Sequence, residues 1–479
     1  MSRPLVPAAV AFGFALLYFG LLHAADPRLA DYDGYFHIRF ASMGPAAWTS
    51  RDFPWMPLGI FAGGRWVDHQ LLFHAAQWPF TWGLPLLTAA HVSAAVFAAL
   101  AIGAWTLALG RAGVPEPAAW AVVLLASSRF FIDRLVMPRT QSLSIALLFL
   151  GIALAAPAAS ERGRLRVSWA HAALGFAFAW TYHLAVVLVP VLLVLGLATR
   201  NLRPAAGAAL GVAAGFVIHP QSPGTLVFLY EHAFKKVVNA SGQAVGAEWM
   251  PVDAVTWTVH TAPILLLAAV AVVRGPRRAA PDTLAMAVLA LGWAAASFSA
   301  VKWLEYEVPF SVFAVALSFR DRGWSVRPVL LLAPLLAFNA VQVLAHIAGT
   351  VPPVDRLKGI AEHLPPSDCH VFQADWTDFS ELFFYAPQCT LTVGLDPHFL
   401  SEAEPKRAEL VEAALAGRVN KLGDMADHAF GAGWVVVTNQ AMLERAAADP
   451  RLGKVYEDAG GSLWKVLPAA PPPAPPAVP

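Results

Sequence analysis

Asp31-Tyr-Asp-Gly-Tyr-Phe-His-Ile-Arg39 follows closely on an apolar run, Leu5 to Leu22, that is long enough to cross a bilayer. Two acids, a His and an Arg therefore stand at a membrane surface, interleaved with aromatics. A mere connecting loop needs none of that chemistry. Carboxylates there can bind a metal or deprotonate an acceptor, and the aromatics can hold a lipid-borne substrate at the interface. The plainer alternative is that Asp31 or Asp33 caps an interfacial helix. Capping explains neither Arg39 nor the two acids together.

The rest of the chain fits that setting. Apolar residues make up 57% and charged residues 14%, about half the usual charged share. The net charge of +1 gives no global pull toward nucleic acid. Hydrophobic segments predict eleven spans, roughly 5–24, 84–108, 118–136, 141–158, 167–182, 184–198, 205–219, 257–273, 283–300, 308–319 and 328–349. The stretch Val167–Ala198 is too long for one span, and Thr181-Tyr-His183 divides it. Leu5–Ala25 is either an uncleaved first span or a signal peptide with Leu22-His-Ala24 near its cleavage site; the other spans keep their orientation either way.

Basic residues collect in the short loops of one side: Arg3, Arg111, Arg162 to Arg166, Arg200, Arg203, Arg274, Arg277, Arg278, Arg320, Arg322 and Arg327. That side is expected in the cytoplasm. The opposite side receives 25–83, 129–140, 181–183, 220–256, 301–307 and everything after about 350. The reactive-looking residues all fall there: Asp31, Asp33, His37, Asp68, His69, Arg129, Asp133, Arg134, Arg139, His183, His219, Glu231, His232, Glu248, Lys302, Glu305, Tyr306 and Glu307. Loops from distant parts of the chain can converge into one site facing the periplasm. Trp48, Trp55, Trp66, Trp78 and Trp82 read as an aromatic belt.

From Val351 to about Pro468 the pattern changes. Val371-Phe-Gln-Ala, Thr390-Leu-Thr-Val and Trp434 to Thr438 read as buried strands, and Glu402–Ala416 and Ala441–Ala448 as helices. The fold class is thus a polytopic α-helical membrane protein with a C-terminal periplasmic α/β domain. Its parts are a transmembrane domain over 1–350 with a long first loop at 25–83, the α/β domain over 351–468, and an extended Pro-rich tail over 469–479. Cys369 and Cys389 are the only cysteines, and each opens or directly precedes a predicted strand. Adjacent parallel strands would bring them within disulfide reach in a compartment where disulfides persist.

Asp33-Gly-Tyr-Phe-His-Ile-Arg39 resembles the first-loop motif of oligosaccharyltransferase catalytic subunits, in the GT-C superfamily of membrane glycosyltransferases. That motif runs acid, small residue or Pro, two aromatics, then Arg. The resemblance implies a multi-span enzyme that moves a sugar from a polyprenyl-phosphate- or diphosphate-linked donor to a glycan, lipid or protein acceptor at the periplasmic face of a bacterial inner membrane. It implies a divalent metal, magnesium or manganese, held by the first-loop acid. Asp33 and Asp31 are then the catalytic candidates, with Asp33 and Asp133 as metal ligands. Arg129, Arg134 and Arg139 suit a lipid-linked phosphate, which guanidinium binds bidentately. His37, Arg39, His183, Lys302, Glu305 and Tyr306 are candidates for substrate contact. The chain departs from the motif set in two places: the second acidic loop, Phe131 to Arg139, offers Asp133 alone, and no Trp-Trp-Asp-Tyr-Gly occurs. Transfer to an Asn sequon is therefore not expected. No Walker loop, Rossmann Gly motif, zinc Cys cluster or Gly-x-Ser-x-Gly occurs either. A flippase for lipid-linked saccharides and a non-catalytic envelope assembly protein remain alternatives; the one-sided charges favour the enzyme over a transporter.

Overall fold

The computed structural model describes residues 4–155, 161–231, 247–273 and 279–468. Arg3, His232, Arg274, Arg277, Arg278 and the Pro-rich tail over 469–479 lie outside the described residues. The chain is mostly helical and divides into two compact units. The first comprises Met1–Ser50 and Val67–Pro352; the second comprises Arg51–Trp66 and the chain from Pro353 onward.

Among the described residues of the first unit, four helices are long and apolar enough to cross a membrane: Leu5–Ala25, Leu86–Arg111, Ala254–Val272 and Val329–Thr350. Shorter apolar helices are Pro117–Ser127, His183–Thr199, Arg203–Ile218 and Pro281–Ser297. Length and composition thus mark fewer crossings than the eleven expected. The third expected span, 118–136, is divided. Its helix stops at Ser127, because Ser128 is extended and its hydroxyl caps a new helix, Arg129–Val136, by accepting from the Phe131 N–H. Asn339 donates to the carbonyls of Leu125 and Ala126, which satisfies two of the helix end's orphan acceptors. The new helix is bent 110° from the following Gln141–Leu154. The turn between them carries Pro138 and Arg139.

Arg203–Ile218 packs against Glu161–Thr181 along Gly207, Gly211 and Gly215. A Cβ at Gly211 would strike the Ala172 carbonyl, and one at Gly207 the Ser168 carbonyl. The four-residue spacing of the glycines lets two backbones touch where apolar driving force between helices is weak. Elsewhere a mainly aliphatic core encloses large aromatics: Trp105 is fully buried and its indole N–H donates to the Pro309 carbonyl across the unit.

The second unit is built on a five-stranded sheet in the order β2-β1-β3-β5-β4. The strands are β1 His370–Phe372, β2 Thr390–Leu391, β3 Trp434–Val437, β4 Leu452–Asp458 and β5 Gly461–Val466. The first three are the strands read from sequence, and they pair in parallel. The β4–β5 hairpin was not foreseen. The expected helix 402–416 is two, Pro397–Ala403 and Pro405–Leu415, because Pro405 starts a new first turn. The piece Arg51–Trp66, expected to stay with the first loop, belongs to this unit. Trp55 accepts from Leu391 N–H at its carbonyl, and its indole donates to the Pro387 carbonyl. Phe53 and Trp55 face Phe379 and Phe383. Trp48 and Trp66 are buried, so these aromatics do not form a common belt as expected; only Trp82 is well exposed.

Cys369 and Cys389 form a disulfide, with Cα atoms 4.5 Å apart. The cause is the register predicted for them: His370 pairs with Thr390 in the parallel β1–β2 ladder, so the residues just before lie side by side. Closing a loop of 20 residues stabilises by about 3 kcal/mol in the chain-entropy account. A Cys369→Ser, Cys389→Ser chain should therefore show a lowered thermal-unfolding midpoint, and the unreduced, denatured parent chain should resist alkylation. Two alkylated thiols in the parent would refute the bond.

Candidate active site

Asp33 opens the helix Asp33–Ser42, with Asp31 two residues earlier, before the N-cap Tyr32, in the segment that follows Leu5–Ala25. The residue that lets this helix reach its partners is Gly34. A Cβ there would collide with the Pro138 ring, so the helix start and the Pro138–Arg139 turn touch only because position 34 has no side chain. That explains the small residue between the acid and the aromatics.

The approach delivers both acids to one guanidinium. Arg139 Nη2 contacts Asp33 Oδ2, and Arg139 Nε lies 2.6 Å from Asp31 Oδ2. Its Nη1 lies 3.1 Å from Glu248 Oε2. The same Glu248 oxygen is 2.8 Å from Arg134 Nη1, and Arg134 Nη2 is 3.0 Å from Glu305 Oε2. Gln141 holds the Arg134 backbone by donating to its carbonyl. Lys302 Nζ stands 3.9 Å from Glu248 Oε1 and 3.7 Å from the Trp249 ring centroid, a cation–π position. Four stretches of chain thus meet in one network of four carboxylates and three cations.

The charges shape one another. Burial alone would raise the Glu248 carboxyl, but Arg134, Lys302 and Arg139 outweigh it and hold Glu248 well below the usual carboxylate range. Asp31 goes the other way. Burial pushes it up; Arg139 opposes that and Glu248 adds to it.

Of the residues singled out in the sequence, Asp31, Asp33, Arg134, Arg139, Lys302 and Glu305 come together. Arg129 and Asp133 pair with each other instead, 3.3 Å apart one helical turn along Arg129–Val136. Arg39 is half-buried near the end of its helix. Tyr306 is not a surface for substrate: it is fully buried, stacked on Trp293 at 4.8 Å in the core. His183 is likewise buried, against Tyr182 and beside His69 and Phe228. His37, four residues after Asp33, enters a second buried chain. Its Nδ1 lies 3.0 Å from His74 Nε2, and His74 Nδ1 lies 2.8 Å from Asp68 Oδ2. Asp68 is anchored in turn by its N–H donating to Gln221 Oε1. Sequence reading placed Glu248 among the reactive outer-side residues without a specific role, and passed over His74. The available signal for Glu248 was an acid next to Trp249 just before an apolar helix.

Among the described residues no three His, Cys, Asp or Glu side chains gather as ligands for a metal. The donor set agrees. Asp31, Asp33 and Glu248 each turn an oxygen to the Arg139 guanidinium, which fills the place a cation would need, and Asp133 is committed to Arg129. As placed, these residues do not fit the divalent ion expected at Asp33 and Asp133.

No protein-family model matches the sequence, and a search of curated proteins finds no match. Solved structures do match. ArnT from Cupriavidus metallidurans, bound to undecaprenyl phosphate, has a TM-score of 0.61 at 16% identity, over 95% of this chain and 97% of its own. An oligosaccharyltransferase from Archaeoglobus fulgidus tethered to an acceptor peptide with an NVT sequon has a TM-score of 0.56 at 13% identity, over 96% of this chain and 74% of its own. The archaeal oligosaccharyltransferase AglB from Archaeoglobus fulgidus, in complex with an inhibitory peptide and a dolichol-phosphate, has a TM-score of 0.55 at 13% identity, over 90% and 69%. Both kinds are GT-C glycosyltransferases, the superfamily that the first-loop motif resembles, and at these identities the likeness shows a shared fold. With the apolar helices, it fits a multi-pass membrane protein.

Two expectations follow from the geometry. Gly34→Val should separate the helix start from Pro138 and disconnect Asp33 from Arg139 without altering any charged group. An intact fold with unchanged cross-linking between positions 33 and 139 after Cys substitution would refute that account. The second concerns acid. Burial, with His74 and His69 adding to it, holds His37 well below the ordinary histidine value; burial first also pushes His69 down to about 4. Both stay neutral in the folded chain while the unfolded chain takes up protons near pH 6.5. The unfolded state binds more protons below that point, so stability should fall as pH drops from about 6.5 toward 4. Denaturation midpoints measured across that window check this, and His37→Asn should flatten the slope.

Proposed function

We propose that this chain is a GT-C-type glycosyltransferase that moves a sugar from a polyprenyl-phosphate- or diphosphate-linked donor to an acceptor. It does so at the periplasmic face of the bacterial inner membrane, with about eleven spans and the α/β domain outside. The observation that carries the reading is the Asp31–Asp33–Arg139 contact: the first-loop acids meet the guanidinium that suits a lipid phosphate. Support comes from the fold, which is shared with proteins solved with undecaprenyl phosphate and dolichol-phosphate bound.

In this mechanism the donor phosphate takes N–H donors of Arg139 and Arg134. Arg134 enters the network from the last turn of Arg129–Val136 and Arg139 from the turn after it. Arg139 leaves Asp33 for the phosphate, and Asp33 becomes free to act as base. The acceptor's nucleophilic atom attacks the sugar's anomeric carbon while its proton passes to Asp33. The bond from that carbon to the phosphate oxygen breaks, and the lipid phosphate or diphosphate departs with the electron pair, its charge held by the two guanidiniums. Lys302 and Glu305 fix Glu248 and Arg134 in place. No step needs a metal.

Asp33→Asn keeps the shape and removes the base. Transfer of labelled sugar from polyprenyl-linked donors by membranes carrying the variant should fall by about two orders of magnitude or more. Arg139→Gln should raise the donor KM far more than the acceptor KM, because it removes a phosphate contact. Wild-type turnover in Asp33→Asn would sink the proposed role.

A further inference from the structure

We infer that the first unit holds a second lipid site, for the phosphate head and one chain of an anionic membrane phospholipid, at the end of the helices away from the carboxylate network. The helices Gln141–Leu154 and Leu304–Arg322 run past both places. They touch the network at Gln141 and Glu305, and they line a cavity of about 560 Å³ at Ile152, Phe313 and Leu317. At 1.5 Å per residue the cavity lies about 12–18 Å from the network along those axes. The cavity is therefore separate from the proposed active site and does not depend on that reading.

Its chemistry is amphipathic. Ile152, Leu192, Leu195, Met286, Phe313 and Leu317 give apolar walls. The other lining is polar: Arg111 in the last turn of Leu86–Arg111, then Thr199, Arg200 and Asn201 where Leu188–Thr199 ends. Arg111 and Arg200 are exposed, and among the described residues neither has an ion-pair partner. The acid beside them is already spent: both Asp282 oxygens accept from Arg320, at 2.7 and 2.9 Å. Two unneutralised guanidiniums at the rim of an apolar cavity call for an anion that carries a hydrocarbon chain. A free phosphate would leave the walls unused, and a zwitterionic lipid would bring a cation toward two others. The volume lies within the usual range for small-ligand cavities. Guanidinium pairs bind phosphate through several N–H donors at once, which selects phosphate over a simple carboxylate.

The experiment uses the full chain in a neutral detergent, titrated with phosphatidylglycerol, phosphatidylcholine of the same chains, undecaprenyl phosphate and inorganic phosphate. Binding is read by native mass spectrometry and by thermal midpoint. Phosphatidylglycerol should bind and stabilise, with phosphatidylcholine weaker by about tenfold or more. Arg111→Gln with Arg200→Gln should abolish that difference. Ala198→Phe, which fills the lining, should weaken both lipids. The double variant changes only exposed residues, so it decides the matter even where the filled variant misfolds. Equal binding of the two phospholipids, phosphatidylglycerol preference surviving in the double variant, or a response to inorganic phosphate alone would each overturn the site. Tighter binding of undecaprenyl phosphate than phosphatidylglycerol, lost in the double variant, would overturn the phospholipid assignment. Sugar transfer should persist in the double variant, which separates this site from the proposed active one.

Discussion

Arg139 is the group on which the first unit's reactive loops agree. Taking a carboxylate or a guanidinium out of water costs several kcal/mol per ion unless partners compensate it. Here three carboxylates from two separate segments share one guanidinium, and Glu248 links it to Arg134 and Lys302. No segment can keep its charge in place alone. Asp31 and Asp33 need the turn after Arg129–Val136; that turn needs Glu248; Glu248 needs Lys302. Mutual dependence of this kind fixes geometry more sharply than it adds stability, because removing one partner strands the others.

Convergence was legible from topology alone. Positive loops on one side left every reactive residue on the other, and a common side is the precondition for a common site. What the pattern could not show was direction. An acid in a first turn is as ready to cap a helix as to meet an Arg, and Asp33 and His37 share a helical face yet serve different partners. The break at Ser128 was hidden because Val122 to Val136 stays apolar enough to pass as one span; only the serine pair hinted at a cap. In the second unit, β3 read clearly because Trp434 to Val437 is a continuous apolar run, and β1 and β2 because Val371, Phe372 and Leu391 are apolar and buried in the same parallel ladder. β4 was missed because its residues alternate with exposed charges, and Gly460-Gly461, the turn signal before β5, was not weighed. Trp55 and Trp66 did not betray their neighbours in the sequence, because an aromatic looks the same whether a bilayer or another ring covers it.

The buried histidine chain shows how the helix Asp33–Ser42 is held from its other end. Asp68 Oδ2 lies 2.8 Å from His74 Nδ1, and His74 Nε2 and His37 Nδ1, 3.0 Å apart, share one proton between them. Burial holds His37 well below the ordinary histidine value. One end of the helix is set by Gly34 against Pro138, the other by His37 against the Leu71–Gln77 helix. The two clamps use different physics, a close approach and a buried hydrogen-bond chain. Asp33 inherits its position from both.

The guanidinium at the centre also changes what ligand binding means. Acids that are already neutralised do not wait for a cation, and cations that are already paired do not wait for an anion. A phosphate entering the proposed site exchanges partners: it gains N–H donors only as carboxylates give them up. The acid in excess matters at that moment. Four carboxylates against three cations leave one unit of negative charge, which a proton at Asp31 can cancel, since burial and the neighbouring Glu248 push the Asp31 carboxyl up. A carboxylate released beside a protonated neighbour is more basic than one held in an ion pair. In the proposed reaction the base therefore forms when the donor arrives, and the loss of the Arg139 contact couples phosphate recognition to proton removal from the acceptor.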